Sequence, residues 1–251
     1  MKLLLEEMTR DEARAAFDAG ALVVLPTGAI EQHGPHLPLV VDTAAVTHVA
    51  RTGAEHAARQ IPVVVTPTMH FGVSHHHLEF AGTLSLTSSI YIQTVCELVR
   101  CLHRHGARKV VLLNGHGGNQ NPNGVVSQTL VNDEGLDLAL GSLSYWSLPI
   151  ARTDGTLGGV SPGHAGHFET SLMLALRPDL VQLDRRRAPL GPLHSIEHVQ
   201  EQGSFKRAGG TTDDASEASA EEGQRLLGEF TTALADYLIK FHRQTRQHVA
   251  V

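Results

Sequence analysis

Glu31 and His33 stand two residues apart in the stretch Gly28-Ala-Ile-Glu-Gln-His-Gly-Pro-His-Leu-Pro38. His36 shares the turn, and Asp42 follows a few residues on. In extended or loosely coiled backbone, residues two apart lean to the same side. A carboxylate, an imidazole and a second carboxylate on one loop offer hard and borderline ligands to a divalent cation. Gly34, Pro35 and Pro38 would hold that loop rigid, as a metal site requires. Taken alone, a Glu-x-His triplet also reads as a polar turn with solvated side chains, because such triplets arise by chance. The other histidine-bearing loops shift that balance.

Asn114-Gly-His-Gly-Gly-Asn119 flanks His116 with glycines. A phosphate cradle would carry a lysine or the G-x-G-x-x-G spacing, and this turn has neither. A histidine with bare backbone around it suits close approach to an ion; the plainer alternative is a histidine packed in a turn. The loop Gly72–Thr83 carries Ser74, His75, His76 and His77 in a row. Adjacent side chains cannot all point inward, so Ser74 and His77 are taken as substrate contacts and His75 and His76 as structural or exposed. Gly163-His-Ala-Gly-His-Phe-Glu-Thr-Ser171 brings His164 and Glu169 to a helix start. Glu169 can equally be a first-turn acid favoured by the helix dipole. His167 reads as solvated or as a donor behind the site.

Elements that could bring these loops together are legible in the pattern. Thr9 with Glu12 forms a capping box for a helix over 10–19, stopped by Gly20. Strands are expected at 21–25, 61–66, 109–113 and 136–143, with Pro26 and Gly28 ending the first. Helices are expected at 44–59 (capped by Asp42 or Thr43), at 90–105 and at 122–131, with another from Ser171 to Leu176. Residues 144–163 read as a loop partly roofing the site and carry the only tryptophan, Trp146. Residues 184–218 read as irregular, with Arg185–Arg187 a solvated turn. Ser219 and Glu222 open a last helix whose Leu226, Leu227, Phe230, Leu234, Leu238 and Phe241 recur at helical spacing. Alternating strands and helices describe βαβ units and a mostly parallel sheet. Ligands of such sheets sit beyond the carboxyl ends of the strands, so the loops with Glu31, His77 and His116 emerge at one edge.

Composition narrows the class. The chain has 251 residues, 41% hydrophobic and 18% charged, which fits one large soluble domain over 1–251. A net charge of −6 gives no basic field, so nucleic acid is not an expected partner. No apolar run approaches the roughly 20 residues of a membrane span. Glu6 and Glu7 interrupt any signal-peptide core, and Cys96 and Cys101 are not spaced for a disulfide. A reduced, cytoplasmic setting is the expectation.

The segments Gly28–Pro38 with Asp42, Gly72-Val-Ser with Phe80-Ala-Gly-Thr83, Asn114–Asn119 and His164–Ser171 resemble the creatininase (creatinine amidohydrolase) family over roughly residues 5–240. The resemblance implies a three-layer α/β/α sandwich and two divalent ions, zinc or manganese with iron possible. It further implies a homohexamer built as a trimer of dimers, and hydrolysis of a C–N bond in creatinine, formamides or small peptides by a hydroxide shared between the ions. By motif, Glu31 and His116 would hold one ion and His33 the other, with Asp42 bridging. His164 would carry a proton to the leaving nitrogen, and Trp146 would match an aromatic of the pocket. Two departures stand out. True creatininases carry a metal-binding glutamate two residues after the histidine that matches His116, where this chain has Gly118, and Glu169 is the available replacement. Creatininases also carry a tryptophan a few residues before the histidine that matches His164, where this chain has Gly158 to Val160. The expected activity is hydrolysis of a small cyclic or linear amide, with a formamide deformylase or small-peptide peptidase as alternatives. A reading from another class is a nucleotide-binding module built on the Gly115–Gly118 turn.

Overall fold

The computed structural model describes residues 1–151, 157–159, 162–191 and 201–245. Helix α1 (Arg10–Asp18) starts where Thr9 accepts from the Glu12 N–H while Glu12 accepts from the Thr9 N–H, the reciprocal capping box its sequence announces. Gly20, at φ 72°, turns the chain into β1 (Leu22–Thr27). Then follow α2 (Val41–Ala57), β2 (Val63–Val65), α3 (Ser88–Arg104), β3 (Lys109–Asn114), α4 (Gln120–Ser127) and β4 (Ala139–Ser144). A short antiparallel pair, β5 (Ile150–Ala151) and β6 (Leu157–Gly158), precedes α5 (His167–Leu176), α6 (Ser204–Arg207) and the long α7 (Ala220–Gln244).

The main sheet is fully parallel, in the order β2-β1-β3-β4. Both faces are covered, which explains why its strands read as unbroken apolar runs. Leu22, Val24, Val111 and Leu113 face α2, α5 and α7, packing against Val46, Val49, Leu172, Phe230 and Leu234. The alternate residues Val23, Leu25, Val110 and Leu112 face α1, α3 and α4, against Phe17, Tyr91, Val95, Val99 and Val126. This is the α/β/α sandwich expected above. No helix among the described residues is long and apolar enough to cross a membrane.

Four local expectations are corrected. Pro26 does not end β1: it pairs in register with Leu113. Its carbonyl, and so its missing N–H, points to the side where β2 has already run out, and Met69 N–H reaches that carbonyl at 2.9 Å. Neither Asp42 nor Thr43 caps α2; Val40 does, without a side-chain bond, and Asp42 sits inside the first turn with its carboxylate free for other work. Helix α5 begins at His167 rather than Ser171, which carries Glu169 into its first turn. α4 runs on into a π-helical turn, Gln128–Asp133, so β4 starts later than 136. Arg185–Arg187 are exposed, as expected. Val160 lies outside the described residues.

The order β2-β1-β3-β4 sends the chain from β1 to one side and then back across to β3. The reversal falls between the carboxyl ends of β1 and β3, where open α/β sheets bind their ligands.

Candidate metal centre

The loop after β1 delivers Glu31 and His33, the first turn of α2 delivers Asp42, and the turn after β3 delivers His116. The approach to α5 adds His164 and Glu169, and the loop after β2 adds His77. All seven are buried. Six of them line a cavity of about 540 Å³ at the switch point, together with Trp146 and Phe205, and His33 lies directly behind Asp42 and Glu169.

Asparagines pin the three crossover loops to one another. Asn114, the last residue of β3, accepts from His116 N–H at 3.1 Å, and its Nδ2 donates to His116 carbonyl at 2.7 Å. Asn119 accepts from Val73 N–H at 2.9 Å and donates to Gly28 carbonyl at 3.0 Å, tying the turn after β3 to the loops after β2 and β1. Gly118 permits the tight turn: a Cβ there would lie 2.0 Å from Val73 carbonyl oxygen and 2.6 Å from His116 Nε2. This backbone therefore leaves no room for a side chain at Gly118.

The histidine rings are aimed by main-chain carbonyls, which only accept and so fix where each ring carries its hydrogen. His33 Nδ1 donates to Glu31 carbonyl at 3.1 Å. Its other nitrogen, Nε2, is left 3.2 Å from Asp42 Oδ1 and 3.7 Å from Glu169 Oε1. His116 Nε2 donates to Val73 carbonyl at 3.0 Å, leaving Nδ1 3.0 Å from Asp42 Oδ2 and 3.4 Å from Glu31 Oε1. Once unprotonated at these nitrogens, both imidazoles would aim a lone pair into the space between the carboxylates. Glu31 Oε2 is buried without a hydrogen-bond partner, and the buried Asp42 Oδ2 faces His116 Nδ1. Among the described residues lining the cavity there is no lysine or arginine.

Burying ions without partners costs several kcal/mol each, so the cluster requires positive charge. Protons supply it in the absence of metal. Burial works against charge on His33, but the carboxylates of Glu169 and Asp42 outweigh it and hold the ring well above the ordinary histidine range. His116 is raised likewise, by Glu31 and Asp42 against burial. Burial pushes Asp42 and Glu31 upward, yet facing His33 and His116 respectively holds both below the usual carboxylate range. A cation replaces those protons with better geometry: nitrogen and carboxylate donors converge, and the far ring nitrogens are anchored on carbonyls, as metal-binding histidines require. Glu31, His33 and Asp42 form one set of donor atoms within 4.8 Å of one another, and His33, His164 and Glu169 form another. The residues fit divalent metal.

The remaining side chains take varied places. Glu169 accepts from Ala165 N–H at 2.5 Å with one oxygen and turns the other toward His33, so it is more than a first-turn acid. His164 is held neutral, its affinity for a proton lowered by burial and by His33. Ser74 is fully buried, with its hydroxyl 3.3 Å from His116 Nε2. His76, expected to be structural or exposed, lines the cavity and stacks at 5.8 Å on the His116 ring; burial lowers its pKa to about 4. His75 is exposed and bonded to Ser85. His36 lies behind the cluster, its Nε2 bonded to Thr170 Oγ1 at 2.9 Å, and His167 is half-buried on α5. Sequence reasoning missed Gln32, Asn114, Asn119 and Phe205. The first three sit inside or beside the motifs already singled out; Phe205 carries no signal, since it arrives from an irregular segment.

The profile of the creatininase family, described as creatinine amidohydrolase, matches residues 6–238. The chain is 35% identical to the creatinine amidohydrolase of Pseudomonas putida, over 92% of this chain and 94% of that protein. It is 36% identical to the mycofactocin precursor peptide peptidase of Mycobacterium tuberculosis, over 82% of this chain and 79% of that protein. A crystal structure of creatinine amidohydrolase superposes with a TM-score of 0.79 at 32% identity, covering 97% of this chain and 99% of that one. Similar creatininase structures include a manganese form and a zinc–zinc form of a variant. The matched span opens before α1 and closes within α7, taking in each of the clustered side chains, and this protein belongs to the creatininase family.

Proposed function

We propose that this protein is a binuclear metal-dependent hydrolase that cleaves the C–N bond of a small cyclic or linear amide. The observation carrying this reading is the division of Asp42 between two histidines: Oδ1 lies 3.2 Å from His33 Nε2 and Oδ2 lies 3.0 Å from His116 Nδ1. One carboxylate placed so between two imidazole nitrogens suits a bridge between two cations once those nitrogens give up their protons. Glu31 and His116 would complete one position, His33 and Glu169 the other. Glu169 then serves where Gly118 leaves no room for a carboxylate.

Bound divalent ions of this kind lower the pKa of water from 15.7 toward roughly 7 and polarise a carbonyl. The chain's own residues do the rest. His164, neutral and buried, takes the proton of the attacking water and returns it to the leaving nitrogen, a role worth about 10²–10⁴-fold. His77, Trp146 and Phe205 wall the cavity and orient a small substrate. Ser74 steadies His116 from behind. The finer points rest on family resemblance: zinc or manganese with iron as an alternative, a single domain over 1–251, a hexamer assembled as a trimer of dimers, and a cytoplasmic setting.

Peptide substrates form the second reading, favoured by the 36% identity to a peptide peptidase. A nucleotide module on the Gly115–Gly118 turn is disfavoured, because a phosphate there would meet Glu31 and Asp42, which flank His116 at 3.4 Å and 3.0 Å. The test is metal content of protein purified without added metal, followed by turnover of creatinine, formamides and dipeptides with and without chelator. Two ions per chain and chelator-sensitive turnover are expected. A metal-free preparation with full activity would overturn the proposal.

A further inference from the structure

Gln32 sits between Glu31 and His33, is buried, and so far has no task. Its side-chain amide is oriented by two backbone groups. Oε1 accepts from Gly34 N–H at 2.9 Å, and Nε2 donates to Gly210 carbonyl at 2.9 Å. A backbone N–H can only donate and a carbonyl only accept, so the amide cannot be flipped. One Nε2 hydrogen remains. Two imidazole nitrogens lie within its reach, His77 Nδ1 and His164 Nε2, each at 2.9 Å.

His164 Nε2 is also 2.8 Å from the main-chain carbonyl of Gln32 itself. It must therefore carry a hydrogen and cannot accept a second one. The remaining amide hydrogen goes to His77 Nδ1. A neutral imidazole holds one hydrogen, so that of His77 sits on Nε2, 3.5 Å from Glu31 Oε1. His164 turns its bare Nδ1 to the same oxygen at 3.8 Å.

We propose that Gln32 is a positioning residue that sorts these two histidines by tautomer: His77 shows the cavity an N–H, and His164 shows it a lone pair. The part His164 then plays rests on the hydrolase reading above. His33, His116 and His164 all have their far nitrogen on a main-chain carbonyl, so each presents a lone pair when neutral; His77 is the exception, because an amide N–H stands behind it. His77 therefore offers no ligand to a cation, although its Nε2 lies in one compact group with Glu31 and His164. It is a hydrogen-bond donor, suited to a substrate carbonyl oxygen. Proton transfer falls to His164 Nδ1. Through Gly210, Gln32 also fixes the segment that seats Phe205 against the His77 ring at 4.2 Å.

The test is long-range ¹H–¹⁵N correlation spectroscopy on the zinc-loaded full chain labelled with ¹⁵N-histidine, with peaks identified through His77→Phe and His164→Phe. Both residues should be neutral with hydrogen on Nε2. In Gln32→Met, which keeps the length without the hydrogen bonds, His77 should lose its single tautomer while His164 keeps Nε2–H on the main chain. On the amide that the native chain turns over best, kcat should fall about 10–100-fold with zinc content and KM near native. Hydrogen on His77 Nδ1 in the native chain, or zinc on His77, overturns the proposal; so does a Gln32→Met protein with native His77 tautomer and native kcat. Should that variant not fold, the native spectrum alone decides. The spectrum needs no substrate, so failure of the amide panel would end the hydrolase reading and leave the tautomer assignment standing.

Discussion

Replacing Gly118 with alanine tests the claim that this turn exists to aim His116. The new Cβ would lie 2.0 Å from Val73 carbonyl oxygen and 2.6 Å from His116 Nε2, the two partners of the 3.0 Å bond that orients the ring. Ordinary contact begins near 3.4 Å, so one partner must retreat by about 1.4 Å, which breaks that bond. Overpacking of this kind costs about 1–3 kcal/mol. The lost hydrogen bond adds about 1 kcal/mol. For a chain of this size each kcal/mol lowers Tm by roughly 2–4 °C, so a fall of about 4–16 °C is expected. The effect on metal is more diagnostic: with Nδ1 no longer held toward Asp42 and Glu31, zinc affinity should drop about 10–100-fold. Calorimetric melting of loaded and stripped protein measures the first, and competition with a chromogenic chelator the second. A Gly118→Ala protein with native melting and native zinc affinity would refute the argument.

Three further outcomes follow from the same geometry. His116→Ala and Asp42→Ala should lose metal and nearly all turnover, checked by metal analysis and an amide assay; full activity of metal-stripped His116→Ala would contradict the site. In the metal-free protein His33 and His116 are raised above the unfolded histidine value, so their protonation stabilises the fold below that value and the benefit is lost as pH rises through the folded pKa. Metal needs the same nitrogens bare, so its affinity should rise with pH, and titration calorimetry in buffers of different ionisation enthalpy should show proton release. Buffer-independent heats would rule this out. Leu234→Ala, fully buried between α2 and α7 and remote from the cluster, should cost about 2–5 kcal/mol in denaturant unfolding without changing metal content per folded chain.

Much of this was open to reading in the chain. The Thr9 capping box and the apolar runs of β1 and β3 are local, and local sterics and hydrogen bonding decide them. The candidate ligands were legible because metal chemistry demands particular side-chain types, and histidine beside glutamate in a Gly- and Pro-stiffened loop has few other uses. The misreadings lie where tertiary packing overrides propensity. Pro26 is admitted to β1 because its neighbour strand has ended on that side. Asp42 forgoes capping because His33 and His116 claim both its oxygens.

Residue order alone determined the alternation of strands and helices, and with it the edge at which the loops emerge. It also supplied the acids and imidazoles that a cation needs. Only the folded chain decided which nitrogen of each ring faces the cavity, that Gly118 has no room for a side chain, and that Glu169 reaches His33 from a helix more than a hundred residues downstream. Ring orientation depends on single carbonyls such as those of Glu31, Val73 and Gln32. Their positions come from the sheet order and the asparagine ties between loops, and no pattern of neighbouring residues encodes contacts made across such distances in the chain.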